Sequence, residues 1–202
     1  MPHMLKPLLL AALLSASAMQ AYAARASAEM AYAARASAEM ETCFVTVGQA
    51  SGVSPALLKA IARVESSLNP KAVNATHKNR TGSYDIGLMQ INSRWLKKLE
   101  VHGITEIALY DACTSIEVGA WILADLFKRH GVNWEAVGAY NAACTQLNRE
   151  QCRGARDTYI AKVRKALDVK LHNSKQHITM NSMDLPFTTT IAAGIKSIEF
   201  QD

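Results

Sequence analysis

Apolar residues recur every third or fourth position in three separate stretches of this chain. They are Leu57, Leu58, Ile61 and Val64; Ile116, Ala120, Leu123, Leu126 and Phe127; and Tyr159, Ile160, Val163 and Leu167. That spacing puts each set on one face of a helix, and each face needs a partner to bury it. No run of alternating β-branched residues competes, so the chain is expected to be mainly α. The punctuation agrees. Ser54-Pro55 is a capping hydroxyl followed by proline at the first helical position. That helix should carry Glu65 in its last turn and stop before Asn69-Pro70. Cys43–Ala50 reads as earlier helical turns, and residues 71–84 as a polar loop or short hairpin. Residues 92–99 look helical. Ser115 is expected to open the second long helix, which Gly131 ends. Asn133 should cap a short helix through Tyr140, and an amphipathic helix should cover 156–169.

With 202 residues, half of them apolar, the chain can bury an ordinary core without metals or many disulfides. The formal charge is +5 and the pI about 9.1. A basic balance admits nucleic acid, a membrane surface or an acidic polymer as partner. Basic and aromatic residues do not interleave, and zinc-finger spacing is absent, so nucleic acid is not expected. Attraction to anionic cell-wall polymer is compatible with the charge.

The N-terminus reads as an export signal. Lys6 supplies the positive region, Leu8 to Ala18 an eleven-residue apolar stretch, and Ala21-Tyr22-Ala23 a small-residue cleavage site. The apolar stretch is too short to span a bilayer, so no stable membrane span is expected after processing. Removing residues 1–23 takes away one Lys and no acid, leaving 21 basic against 17 acidic residues. The expected localisation is periplasmic. Residues 21–30 (AYAARASAEM) recur identically at 31–40. Two copies are too few for a structural array. The copy also repeats the cleavage pattern at 26–28, 31–33 and 36–38, which leaves the mature start open. The Ala-rich segment suits a helix but has no apolar face to dock. Expected boundaries are 1–23 for the signal, 24–42 for the duplicated linker, 43–171 for the folded domain and 172–202 for a tail. Both extensions are expected to be flexible.

Cys43, Cys113, Cys144 and Cys152 are the only cysteines. An even number behind an export signal reads as two disulfides. Of the three connectivities, Cys43–Cys113 with Cys144–Cys152 is preferred. The first ties the segment entering the domain to the start of the helix near 115. The second closes a short polar loop after Tyr140-Asn141. No C-x-x-C, and no His at ligand spacing, supports a metal, and no cofactor is expected.

Three short segments carry the chemistry: Glu65-Ser66, then Gly87-Leu88-Met89-Gln90-Ile91-Asn92, then Ala139-Tyr140-Asn141. Cutting a glycosidic bond near neutral pH needs a carboxyl whose pKa is raised by burial or a like charge. Glu65, at the junction of an apolar helix and a loop, suits that task; alone, it reads more readily as an exposed partner of Arg63 or Lys71. Asp85, just before the Gly-Leu-Met-Gln turn, is either a second carboxylate or a turn residue capping its own loop. Tyr140-Asn141 without the other segments is either a pair of neutral hydrogen-bonding site groups or a core tyrosine beside a helix cap.

In this order the three segments resemble the lytic transglycosylase domain that cuts bacterial peptidoglycan, a relative of the lysozymes. The resemblance covers residues 43–169 and implies a lysozyme-like domain with a substrate cleft. It implies that Glu65 is the catalytic acid and that Met89 packs under the sugar. Gln90 then bonds an acetamido or hydroxyl group, with Ser66, Asn92 and Asn141 as further substrate contacts. Tyr140 is implied to bond the catalytic Glu through its hydroxyl. Tyr159 also matches a groove tyrosine, though its helical face points to core packing. Residues 85–95 are similar, too, to the motif of chicken-type lysozymes, in which the residue at the Asp85 position is a second catalytic carboxylate. The chain therefore carries features of both mechanisms. The subgroup it looks like accompanies type III and type IV secretion, conjugation or pilus assembly. That makes glycan strands the expected substrate and such an apparatus an expected partner. A wall-binding or assembly module without catalysis is the reading from another class.

Overall fold

Helix α2 (Pro55–Ser66) shows how the sequence sets the local structure. The Ser54 hydroxyl accepts from the Leu57 amide at the start, and Ser67 ends the helix in the left-handed region. Its apolar stripe is buried: Leu57, Leu58 and Ile61 have no exposed surface. Burying such a side chain stabilises a fold by about 1.5–3 kcal/mol. Glu65 is thereby carried at the end of a helix that cannot rotate without exposing that stripe.

The computed structural model describes residues 5–142, 144 and 147–173. It contains two compact units, Met1–Glu41 and Thr42–Asp202. Helix α1 (Leu5–Ser51) contributes residues to both. In the first unit the duplicated segment is helical, and its side chains are nearly all exposed. Each copy forms the same ion pair one turn apart, Arg25–Glu29 and Arg35–Glu39. Among the described residues, no helix is long and apolar enough to cross a membrane.

In the second unit, α2 is followed by a small antiparallel sheet. Its strands are β1 (Val73–Asn74), β2 (Asp85–Ile86) and β3 (Ile91–Asn92), in that spatial order. The register places Asn74, Asp85 and Asn92 side by side, with Val73, Ile86 and Ile91 in the next row. Helix α3 (Lys78–Thr81) lies between β1 and β2. A short 3-10 turn, Ser93–Trp95, leads into α4 (Leu96–Glu100). The hairpin alternative for 71–84 thus holds in part, with one helical turn inside it.

Helix α5 (Ala112–His130) runs through the core; Ile116, Ala120 and Leu123 are fully covered. It begins three residues before the expected Ser115. The Asp111 carboxylate accepts from the Thr114 amide and hydroxyl, and so caps the helix earlier. Ser115 is instead fully buried in the first turns. Helix α6 (Trp134–Asn141) is capped by Asn133, whose side chain accepts from the Ala136 amide. Helix α7 (Arg149–Asn173) packs on α2 and α6, and α5 packs on α6. It starts seven residues before the expected 156. Of the expected tail, residues 174–202 lie outside the described residues, as do residues 1–4 of the expected signal.

Both disulfides have the expected pairing. Cys43–Cys113 and Cys144–Cys152 each bridge Cα atoms 5.4 Å apart. The first joins α1 to the start of α5, and the second joins the α6–α7 connection to the first turn of α7.

Candidate active site

The turn at 87–90 is shaped by one glycine. Gly87 has φ +75, and a Cβ there would sit 2.1 Å from the Leu109 carbonyl oxygen. Only glycine tolerates both demands. The turn that follows is tied to three helices through main-chain atoms. The Ser66 hydroxyl donates to the Leu88 carbonyl at 2.7 Å. The Met89 amide donates to the buried Ser115 hydroxyl at 3.1 Å. The Tyr140 hydroxyl donates to the Met89 carbonyl at 3.0 Å. Gln90 has φ 48, and its side-chain amide turns back to donate to the Gly87 carbonyl at 2.8 Å.

These bonds redistribute the expected roles. The Ser66 hydroxyl serves as a strut between α2 and the turn. Met89 is fully buried, and a Cβ added at Gly119 of α5 would lie 2.7 Å from its terminal methyl. Its side chain therefore supports the turn from the core side and has no exposed surface to place under a sugar. Tyr140 reaches Met89. The bond expected between Tyr140 and Glu65 is made by Tyr159 of α7, whose hydroxyl donates to Glu65 Oε1 at 2.5 Å. Tyr159 is buried at 4% exposure, as its helical face implied, but its hydroxyl end belongs to the site. Periodicity gave its face and could not give the long-range partner. Asn141 is exposed at the end of α6.

Glu65 is half-buried, and its carboxyl is pushed up from the usual carboxylate range to about 7. Desolvation is the largest cause. The Tyr159 hydrogen bond works against it by favouring the charged form. The negative charge of Asp85 raises it further, and Lys162 lowers it. A carboxyl poised there gives up a proton at neutral pH and takes one back. Burial and the Glu65 charge in turn hold both tyrosines well above their ordinary range, so both stay neutral donors.

Asp85 is held as a partner in the sheet. Asn92 donates to Asp85 Oδ1 at 2.7 Å, and His77 Nε2 lies 3.6 Å from Asp85 Oδ2. Asn92 also donates to Ser83 and caps the 3-10 turn by accepting from the Arg94 amide. Asn92 is thus spent on orienting Asp85 and its own turn. Sequence reasoning did not single out His77. The β1–α3–β2 excursion that returns it to Asp85 has no short-range signature.

Beside this geometry stands a comparison with known families. A family model described as the transglycosylase SLT domain matches residues 42–160. The chain belongs to this family. Similar proteins include invasion protein IagB of Salmonella typhimurium, 48% identical over 101 residues, which covers 50% of this chain and 61% of IagB. Protein IpgF of Shigella flexneri is 37% identical over 135 residues, 66% of this chain and 87% of IpgF. X polypeptide of Escherichia coli is 41% identical over 112 residues, 55% of this chain and 64% of that protein. The chain thus spans less than two thirds of the length of IagB, and somewhat under two thirds of X polypeptide. Within this transglycosylase SLT domain, α2, the 87–90 turn, α6 and α7 all contribute to the constellation around Glu65.

Proposed function

We propose that this protein is a peptidoglycan lytic transglycosylase that cuts the β-1,4 bond between N-acetylmuramic acid and N-acetylglucosamine. The observation that carries the reading is the Glu65 carboxyl, raised to about 7 and fixed by Tyr159 at 2.5 Å. Family membership supports it. Glu65 donates its proton to the glycosidic oxygen as the C1–O4 bond breaks, and the N-acetylglucosamine side leaves as an alcohol. The acetamido carbonyl of the muramyl sugar shares the positive charge developing at C1. The Glu65 carboxylate then takes the proton from the muramyl C6 hydroxyl, and O6 bonds to C1. A 1,6-anhydro sugar results, Glu65 is protonated again, and no water is consumed.

The specific position of Asp85 favours a second reading. One oxygen is fixed by Asn92 and its charge acts on Glu65, which supports a role for Asp85 as stabiliser of the sugar cation or as nucleophile. Water would then finish the reaction. Mass spectrometry of muropeptides released by the purified protein separates the two: the anhydro product is lighter than the hydrolysis product by one water. A hydrated reducing end throughout would overturn the transglycosylase reading. The export-like N-terminus and two disulfides support action in the periplasm. The similarity to a relative named an invasion protein supports local wall opening for a secretion, conjugation or pilus apparatus.

A further inference from the structure

Between Ser66 and Tyr84 the chain carries Lys71, Lys78 and Arg80 and no acidic residue. Two of these cations are held against aromatic rings. Lys71 Nζ lies 5.9 Å from the centre of the Tyr110 ring and donates to the Tyr110 carbonyl at 3.2 Å. Lys78 Nζ lies 5.0 Å from the centre of the Tyr84 ring, whose hydroxyl donates to Glu106 Oε2 at 2.8 Å. Glu106 immediately precedes the 3-10 turn Ile107–Tyr110, and Tyr110 ends it. At 2 Å of rise per residue that turn spans about 8 Å, so the two cation–ring pairs flank one short element. The acids in that segment are already engaged, Glu106 by Tyr84 and Asp111 by the Thr114 cap. Lys71 and Lys78 are exposed, and among the described residues neither has a carboxylate partner. The patch borders the candidate site. The carbonyl of Ala72, next to Lys71, accepts from the Gly87 amide at 2.8 Å and the Gln90 side-chain amide at 3.3 Å. Leu109, next to Tyr110, stands against Gly87.

We propose that Lys71 and Lys78 form a binding site for the acidic peptide that the muramyl sugar carries, so that the protein selects strands whose peptides bear free carboxylates. The site rests on the glycan-cleaving reading, which supplies the strand. The peptide hangs from the lactyl group of the sugar, beside the bond to be cut. A strand lying along the 87–90 turn presents it to the edge where Ala72 and Leu109 meet that turn. Extended peptide advances about 3.3–3.6 Å per residue, so carboxylates two or three residues apart are about 7–11 Å from each other. That is the scale of the turn between the two lysines. The rings limit where each ammonium can go, which lowers the entropy lost when a carboxylate binds. Charge complementarity chooses this occupant, because the patch holds cations with no acid of their own to pair with.

The test measures affinity for soluble, uncrosslinked glycan strands by fluorescence anisotropy, with the full chain carrying Glu65→Gln so that strands are not consumed. Two substrates are compared: native strands, and the same strands with their peptide carboxylates converted to amides. Adding Lys71→Gln and Lys78→Gln together should weaken binding of native strands about three- to tenfold, the size expected of two exposed ion pairs. Amidated strands should bind more weakly from the start and be indifferent to the two changes. Lys128→Gln makes the same charge change in the exposed last turn of α5 and should alter neither. The preference for native strands should shrink as salt is raised. Circular dichroism checks the fold of each variant. Equal affinity for native and amidated strands overturns the proposal, as does failure to bind native strands. So does an equal loss on both substrates in the double variant, or the same loss from Lys128→Gln. Muropeptide release by the wild-type chain tests the other reading separately. Charge-dependent binding without release refutes glycan cleavage and leaves the lysine site standing; release with charge-blind binding refutes the lysine site.

Discussion

Replacing Glu65 by Gln should make the protein more stable, and by an amount that depends on pH. The native structure holds the carboxyl at about 7, against an ordinary value of 4.5. Between those values the unfolded chain has lost its proton while the folded chain keeps it. Stability therefore falls as pH rises from 4.5 to 7, and is level outside that window. At about 1.4 kcal/mol per pH unit, the full cost has a ceiling of about 3 kcal/mol. Glu65 is only half-buried, so solvent screening brings the expected cost to about 1–2 kcal/mol. Gln has nearly the same shape, keeps an acceptor for the Tyr159 hydroxyl and carries no charge. Urea denaturation of E65Q and wild type at pH 4, 6 and 8, disulfides intact, measures the difference directly. Every other titrating group cancels between the two proteins. E65Q should match wild type at pH 4, exceed it by about 1–2 kcal/mol at pH 8, and release no muropeptides at any pH. A stability difference that stays flat from pH 4 to 8 would show that burial does not hold the proton on Glu65.

Asp85→Asn should reduce muropeptide release modestly while the anhydro product persists. A loss of several orders of magnitude in a folded variant, with hydrated products from wild type, would move the case to the lysozyme-like mechanism. Tyr159→Phe removes the hydrogen bond that favours the charged form of Glu65, so the alkaline limb of kcat should rise by up to about one pH unit; a limb that moves down would contradict the assigned partner. Gly87→Ala puts a methyl against the Leu109 carbonyl at a positive φ and should cost more than about 2 kcal/mol in chemical denaturation. Wild-type stability in that variant would mean that the turn relaxes freely.

Helix faces were legible because they are local. Leu57, Leu58 and Ile61 declared a buried stripe, and the structure buries all three. Ser54-Pro55 and Asn133 gave correct helix starts for the same reason: a cap and its amide lie three residues apart. The α5 start was misplaced because two capping residues, Asp111 and Ser115, compete within four positions. Only tertiary contact decides that Ser115 is needed inside, for the Met89 amide. The site divided along the same line. Glu65 was singled out only through the resemblance that the three segments carry together, and its burial and its bond to Tyr159 came from the structure. The exchange of roles between Tyr140 and Tyr159 was not legible, since it depends on how α7 lies on α2 and α6. His77 was illegible for an equivalent reason: seven residues of chain loop out before Asp85 returns to meet it.

The dipeptide Leu88-Met89 is gripped by hydroxyls from three helices, and each grip is on peptide atoms. Ser66, Ser115 and Tyr140 come from parts of the chain as far apart as α2 and α6. No one of these helices can detach without releasing a bond to the same two residues. Partial opening of the domain should then inactivate it as completely as full unfolding does. For the wall-cutting function proposed above, such an arrangement would leave no half-folded form with the turn intact. Amide exchange at Met89 should accordingly be among the slowest in the domain, and it should track global stability across buffers and variants.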